Sequence, residues 1–129
     1  MVFLISVIFV LQYHLVKFIS DLTDVEVASA IARWTRMNET TEAEALAIQQ
    51  KFAEHKALGY YTYQPFSILD FKQAKDWLLE RKTALRTCDA LHLAYAARLD
   101  AVLVTADKKL GQAAGDFGVR YQLLIARLH

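Results

Sequence analysis

Residues 87–94 read TCDALHLA, and after one helix length residues 103–107 read LVTAD. The first segment predicts a helix that is apolar around most of its circumference and is therefore buried, with Asp89 near its beginning. The second segment predicts a short buried strand that ends just before Asp107. Ligands gather at the carboxyl ends of parallel strands, so both acids are expected at one sheet edge. Two carboxylates placed there suit a site where a divalent cation acts on a phosphodiester.

Outside these two segments, helical patterns alternate with short apolar runs. Predicted helices cover residues 22–37, 41–55, 67–81, 88–99 and 108–114. One predicted strand ends at residue 20, and three others cover residues 60–65, 101–105 and 119–124. This alternation predicts a three-layer α/β/α fold with a mainly parallel central sheet. Helical spacing places seven large side chains in the core: Val27, Ile31, Trp34, Ile68, Phe71, Trp77 and Leu78.

Length and charge limit the possible functions. The chain has 129 residues, a net charge of +1 at pH 7 and one cysteine, Cys88. This length predicts a single domain over residues 1–129. A nearly neutral chain has no overall field that attracts nucleic acid, so RNA contacts must come from local basic groups. The candidates are Arg33 with Arg36, Arg81 with Lys82, Arg86, and Lys108 with Lys109. A lone cysteine forms no internal disulfide, and we therefore expect a reducing, cytoplasmic location.

Residues 1–16 carry no formal charge and are mostly apolar. One interpretation is a membrane anchor. However, the strongly apolar part ends near Leu11, whereas a spanning helix needs about 20 residues. A basic leading segment and a small-residue cleavage site are also missing from the sequence. We therefore expect no stable membrane association, and we predict a buried parallel strand that runs into a helix or loop.

Asp89 and Asp107 each have a purely structural interpretation beside the functional one. If Thr87 caps its helix, Asp89 takes the second helical position, where the helix dipole favours a carboxylate by about 0.3–1 kcal/mol. Asp107 is placed to cap the helix predicted over residues 108–114. Capping and metal binding are compatible at this position. Thr105 is expected to form a supporting hydrogen bond in the same cluster.

Glu26 and His92 are further candidates with competing interpretations. The run from Thr23 to Glu26 has the form of a capping box, in which Glu26 reaches back to the Thr23 backbone N–H. His92 shares a helix face with Asp89, where it would order a water molecule or contact phosphate. The alternative is a buried, hydrogen-bonded core histidine. A nucleophilic pair of Cys88 and His92 at the helix N-terminus has no other support in the sequence.

Three strings resemble those of PIN-domain ribonucleases, the family of the VapC-type toxins: residues 22–27 (LTDVEV), residues 86–94 (RTCDALHLA) and residues 103–107 (LVTAD). The resemblance covers residues 18–124. It implies a PIN-like fold and an endoribonuclease that uses Mg²⁺ or Mn²⁺ on structured RNA such as tRNA. It also implies a homodimer that a cognate antitoxin silences. The residue roles that it implies are catalytic and metal-binding for Glu26, Asp89 and Asp107, and supporting for Thr23, Thr105 and His92.

The N-terminal end departs from the family pattern. The family's first acid follows the opening strand, and Ile5 stands at that position here. Residues 1–17 are therefore atypical of the family. Either the start of the gene is truncated or shifted in frame, or the protein has diverged. Loss of a central ligand weakens metal binding, so we expect impaired cleavage unless Asp21 or Asp24 substitutes. The alternative function is an inactive PIN domain that binds an antitoxin or RNA. The apolar helices over residues 27–34 and 41–52 offer antitoxin contacts, or else pack in the core.

Overall fold

The computed structural model describes residues 8–10 and 17–124, which form five helices and five strands. The helices are α1 (Asp21–Arg36), α2 (Glu42–Ala57), α3 (Ile68–Glu80), α4 (Thr87–Arg98) and α5 (Lys108–Asp116). The strands are β1 (Ile8–Val10), β2 (Lys17–Ile19), β3 (Thr62–Tyr63), β4 (Val102–Thr105) and β5 (Tyr121–Leu123). None of the helices in these two ranges is long and apolar enough to cross a membrane. The predicted α/β/α fold class is confirmed.

The strands form one sheet in the order β3-β2-β1-β4-β5. β2 pairs in parallel with β3, and β4 pairs in parallel with β5. β1 is antiparallel to both of its neighbours, so the expectation of a parallel first strand is wrong. Only residues 11–16 separate β1 from β2, whereas a crossover between parallel neighbours needs about a dozen residues. The chain length between these strands therefore sets their direction. Ile5 lies outside the described residues.

Helices α1 and α2 pack against each other through apolar side chains. Val27, Ile31 and Trp34 are buried as predicted, and they share a cluster with Ala45 of α2. Ile48 and Phe52 pack against the same cluster. These side chains of the two candidate antitoxin-contact helices therefore pack within the chain, whereas Leu46 of α2 is 54% exposed.

Helix α3 is rotated relative to the sequence-based prediction. Ile68 and Phe71 were expected in the core, but they are 68% and 51% exposed. The buried residues are Asp70 and Ala74 instead, and Trp77 packs partly against the core. The spacing of these three residues still describes one helix face. The buried carboxylate of Asp70 is paired with Arg98 of α4, which fixes this face inward.

Helix α4 lies at the centre of the molecule. Ala90, Leu93, Tyr95 and Ala96 have no exposed surface, as expected for a helix that is apolar around most of its circumference. Leu93 packs with Leu103 of β4 and with α5 residues in the largest core cluster. The burial of α4 fixes where its first turn lies, and that turn carries Asp89.

Candidate active site

Asp89 lies in the first turn of α4, one position later than expected. The helix is capped at Arg86 rather than Thr87, so Asp89 takes the third helical position and its carboxylate accepts a hydrogen bond from the Arg86 backbone. The pKa of Asp89 is raised, chiefly by burial and also by the negative charges of Asp107 and Glu26. The Arg86 hydrogen bond and the charge of His92 act in the opposite direction. Three predicted site residues therefore lie within electrostatic range of Asp89.

Asp107 follows β4 directly and caps α5, as predicted. Its Oδ1 atom accepts hydrogen bonds from the backbone N–H groups of Lys109 and Leu110, at 2.9 Å and 3.2 Å. The fully buried Thr105 hydroxyl accepts from the Asp107 backbone N–H at 3.0 Å, which confirms the expected supporting hydrogen bond. The exposed side chain of Asp107 is thus held by the backbone of α5, and its own backbone is held by Thr105.

Thr23 does not cap α1 and forms no capping box with Glu26, which corrects the sequence-based interpretation. The helix is capped by Ser20, because it begins three residues earlier than the box would require. The Ser20 backbone N–H donates to Thr23 Oγ1 at 3.3 Å, and the Thr23 N–H donates to Ser20 Oγ at 3.4 Å. Thr23 therefore supports the region by fixing the first turn of α1, which precedes Glu26.

Glu26 instead contacts His92. Its Oε1 atom meets Nε2 of His92, which joins α1 to α4. The His92 side chain has no exposed surface, whereas the Glu26 side chain is 30% exposed. His92 is thus buried and hydrogen-bonded, as the structural interpretation predicted. His92 thereby holds Glu26 in place.

The surroundings of Cys88 oppose a role as nucleophile. Partial burial raises the pKa of its thiol, and the negative charges of Glu26 and Asp89 raise it further. A reactive cysteine needs positive charge nearby that stabilises the thiolate.

The chemistry of the acids suits a divalent cation. Among residues 8–10 and 17–124, no group of three His, Cys, Asp or Glu side chains lies close enough to hold a metal ion. Mg²⁺ is commonly bound by one or two carboxylates together with water and substrate phosphates. Asp89 and Asp107 meet that requirement, and the repulsion that raises the pKa of Asp89 is relieved by a cation.

Lys82 and Lys109 lie in an open cleft of about 290 Å³ that also includes Asp89. Sequence reasoning named both lysines among several basic groups but did not connect them with Asp89. The sequence indicated this proximity only through the positions of Lys82 before α4 and Lys109 after it. The walls of a cleft depend on how α3 and α5 pack, which local patterns do not specify.

The model of the PIN domain family matches residues 8–116, which is most of the chain. The chain belongs to the PIN-domain family. The matched range includes Glu26, Asp89 and Asp107 and begins after Ile5. No match was found among the curated proteins or among the solved structures. PIN domains are typically divalent-metal-dependent nucleases that act on RNA, and membership indicates a nuclease-type function for this chain.

Proposed function

We propose that this PIN-domain protein is a VapC-like toxin, a cytoplasmic endoribonuclease that cleaves structured RNA such as tRNA with Mg²⁺ or Mn²⁺. The observation that carries the proposal is a half-buried carboxylate, Asp89, that lies near two further carboxylates from separate elements. Asp89 comes from α4, Asp107 follows β4 and Glu26 comes from α1, and the pKa of Asp89 is raised chiefly by burial and further by the charges of Asp107 and Glu26. A purely structural helix acid needs no such neighbours.

The residues of the cluster have different tasks in this proposal. Asp89 and Asp107 would hold the divalent cation, which supplies Lewis-acid stabilisation of the phosphate when bound. Asp107 is fixed by hydrogen bonds from the backbone of α5, and Asp89 lies in the first turn of the buried helix α4, so both carboxylates are positioned before substrate arrives. Glu26, fixed by His92, adds negative charge on the α1 side.

We propose further that cleavage is weak. The family's first acid is replaced by Ile5, and Glu26 is already engaged by His92. Two carboxylates remain to bind the cation, so its affinity is lower than that of a site with three or four. Restoring the missing acid by Ile5→Asp is expected to raise cleavage.

The test is cleavage of total tRNA by the purified chain with Mg²⁺ or Mn²⁺. Slow cleavage that EDTA and Asp89→Asn both abolish would support the proposal. A folded, monodisperse protein that cleaves no RNA, with or without Ile5→Asp, would contradict it and favour the inactive binding module. Titration of Mn²⁺ by calorimetry measures metal binding separately from RNA cleavage. Asp89→Asn must weaken binding of the ion even where cleavage is slow.

Association with a second copy and with an antitoxin is part of the proposal. Ile68, Leu69 and Phe71 at the start of α3 are all at least half exposed, which supports an interface there. Light scattering should give a dimer, and Ile68→Lys with Leu69→Lys should give a folded monomer. The opposite result, a monomeric wild type, would contradict the homodimer. The antitoxin is identified by co-purification with the product of a neighbouring gene.

A further inference from the structure

The cleft beside Asp89 has two chemically similar walls. Lys82 and Thr83 come from the connection between α3 and α4, whereas Lys109 and Gln112 come from α5. Each wall therefore offers one ammonium group and one neutral hydrogen-bonding side chain. Asp89 belongs both to this cleft and to the acid cluster, so the two are continuous.

Negative charge is also present in the cleft. Asp116, in the last turn of α5, lines it together with Asp89. A second open cavity shares Lys82, Thr83 and Asp116 with the cleft and adds Glu80. Carboxylates repel phosphates, so Lys82 and Lys109 are the groups lining the cleft that attract an anionic chain.

We infer that this cleft binds the backbone phosphate of single-stranded RNA adjacent to the one cleaved at the acid cluster, with Lys82 and Lys109 as its ammonium ligands. The inference rests on the proposed ribonuclease function. The cleft is open and has a volume of about 290 Å³, which leaves room for a strand. Thr83 and Gln112 offer further hydrogen bonds to the same backbone. Contacts to the backbone position a nucleic acid without distinguishing its bases. The cleft therefore determines where the bound strand lies, and it does not contribute sequence specificity.

The test measures binding of a short fluorescein-labelled single-stranded RNA by anisotropy. EDTA is present throughout, so that metal-dependent cleavage does not contribute. The double variant Lys82→Gln/Lys109→Gln is compared with Lys72→Gln/Lys75→Gln, which removes the same charge from exposed positions on α3. We expect the cleft variant to raise Kd about tenfold and to reduce the salt dependence of log Kd by about 0.7, the change for one lost phosphate contact. The control pair should change both quantities much less.

Asp116→Asn provides a test of opposite sign. Removing the repelling carboxylate should tighten RNA binding several-fold, whereas Asp76→Asn on the exposed part of α3 should not. Equal effects of the cleft variants and their controls, in a protein that binds and cleaves RNA, would overturn the cleft but leave the nuclease function intact. A wild type that neither binds nor cleaves RNA would overturn both.

Discussion

The guanidinium group of Arg98 donates to both carboxylate oxygens of Asp70, with Nε to Oδ1 at 2.7 Å and Nη2 to Oδ2 at 3.0 Å. Asp70 is 1% exposed and also accepts the Ser67 backbone N–H at 2.9 Å. The pair joins α3 to the end of α4. It therefore fixes the first turn of α3 against the last turn of α4.

Arg98→Ala is expected to lower the free energy of unfolding by about 3 kcal/mol, because it leaves the buried Asp70 carboxylate without its partner. Arg98→Lys should recover only part of this, since an ammonium group does not reproduce the two-pronged contact. Urea denaturation measures both variants. Lys56→Ala, which breaks the exposed ion pair with Asp24, is the control and should cost at most about 1 kcal/mol. Equal losses for Arg98→Ala and Lys56→Ala would contradict a structural role for the buried pair.

The same pair explains why the sequence predicted the position of α3 but not its orientation. Charged residues are rarely buried unless they are paired, so a reading of local pattern assigns Asp70 to the surface and Ile68 to the core. Arg98, the partner that reverses this assignment, lies 28 residues away. Helix α4 and strand β4 were predicted correctly because their burial follows from consecutive apolar residues, which are visible in the local sequence.

The two roles of Asp107 can be separated by substitution. Asn caps helices as well as Asp, whereas Ala does not. We therefore expect Asp107→Asn to leave stability nearly unchanged and Asp107→Ala to cost about 1 kcal/mol in urea denaturation. Both variants remove the carboxylate, so both should lower the rate of RNA cleavage by about 10–100-fold or more. Removing a residue that only supports a metal ligand typically has an effect of this size. Full cleavage by folded Asp107→Asn would show that capping is the only role of this residue.

Ionised Asp89 is expected to destabilise the metal-free protein. Its pKa is raised above the usual 3.8, chiefly by burial, so the folded state binds the proton more tightly than the unfolded state does. The free energy of unfolding therefore falls as pH rises above 3.8, the usual pKa that applies to the unfolded state. The loss is complete once pH exceeds the pKa of Asp89 in the folded state. Asp89→Asn should raise Tm at pH 7, and this gain should shrink as pH is lowered towards 4. Asp76→Asn, at an exposed position on α3, controls for the loss of one negative charge. A Tm of Asp89→Asn below that of wild type at pH 7 would contradict the prediction.

The sequence predicted the candidate site in part, and the missing part consists of long-range contacts. Asp107 follows from local signals, a strand end and a helix start, and its cap was correct. The contact between Glu26 and His92 spans 66 residues, and no local pattern specifies it. The capping-box form of residues 23–26 suggested a different partner for Glu26. The true N-cap is Ser20, and its position depends on where β2 ends.

The contact between Glu26 and His92 is expected to stabilise the fold as well as the site. Because His92 is fully buried, removing its carboxylate partner costs about 1–3 kcal/mol. A double-mutant cycle of Glu26→Gln and His92→Gln in urea should therefore give a coupling energy of about 1 kcal/mol or more. The cycle of Asp24→Asn and Lys56→Gln, an exposed pair at 2.9 Å, should give about 0.5 kcal/mol or less. If the two cycles gave the same coupling, His92 would not be the residue that holds Glu26. With the coupling present, a His92→Gln protein that is folded but has reduced cleavage would place His92 among the positioning residues of the site.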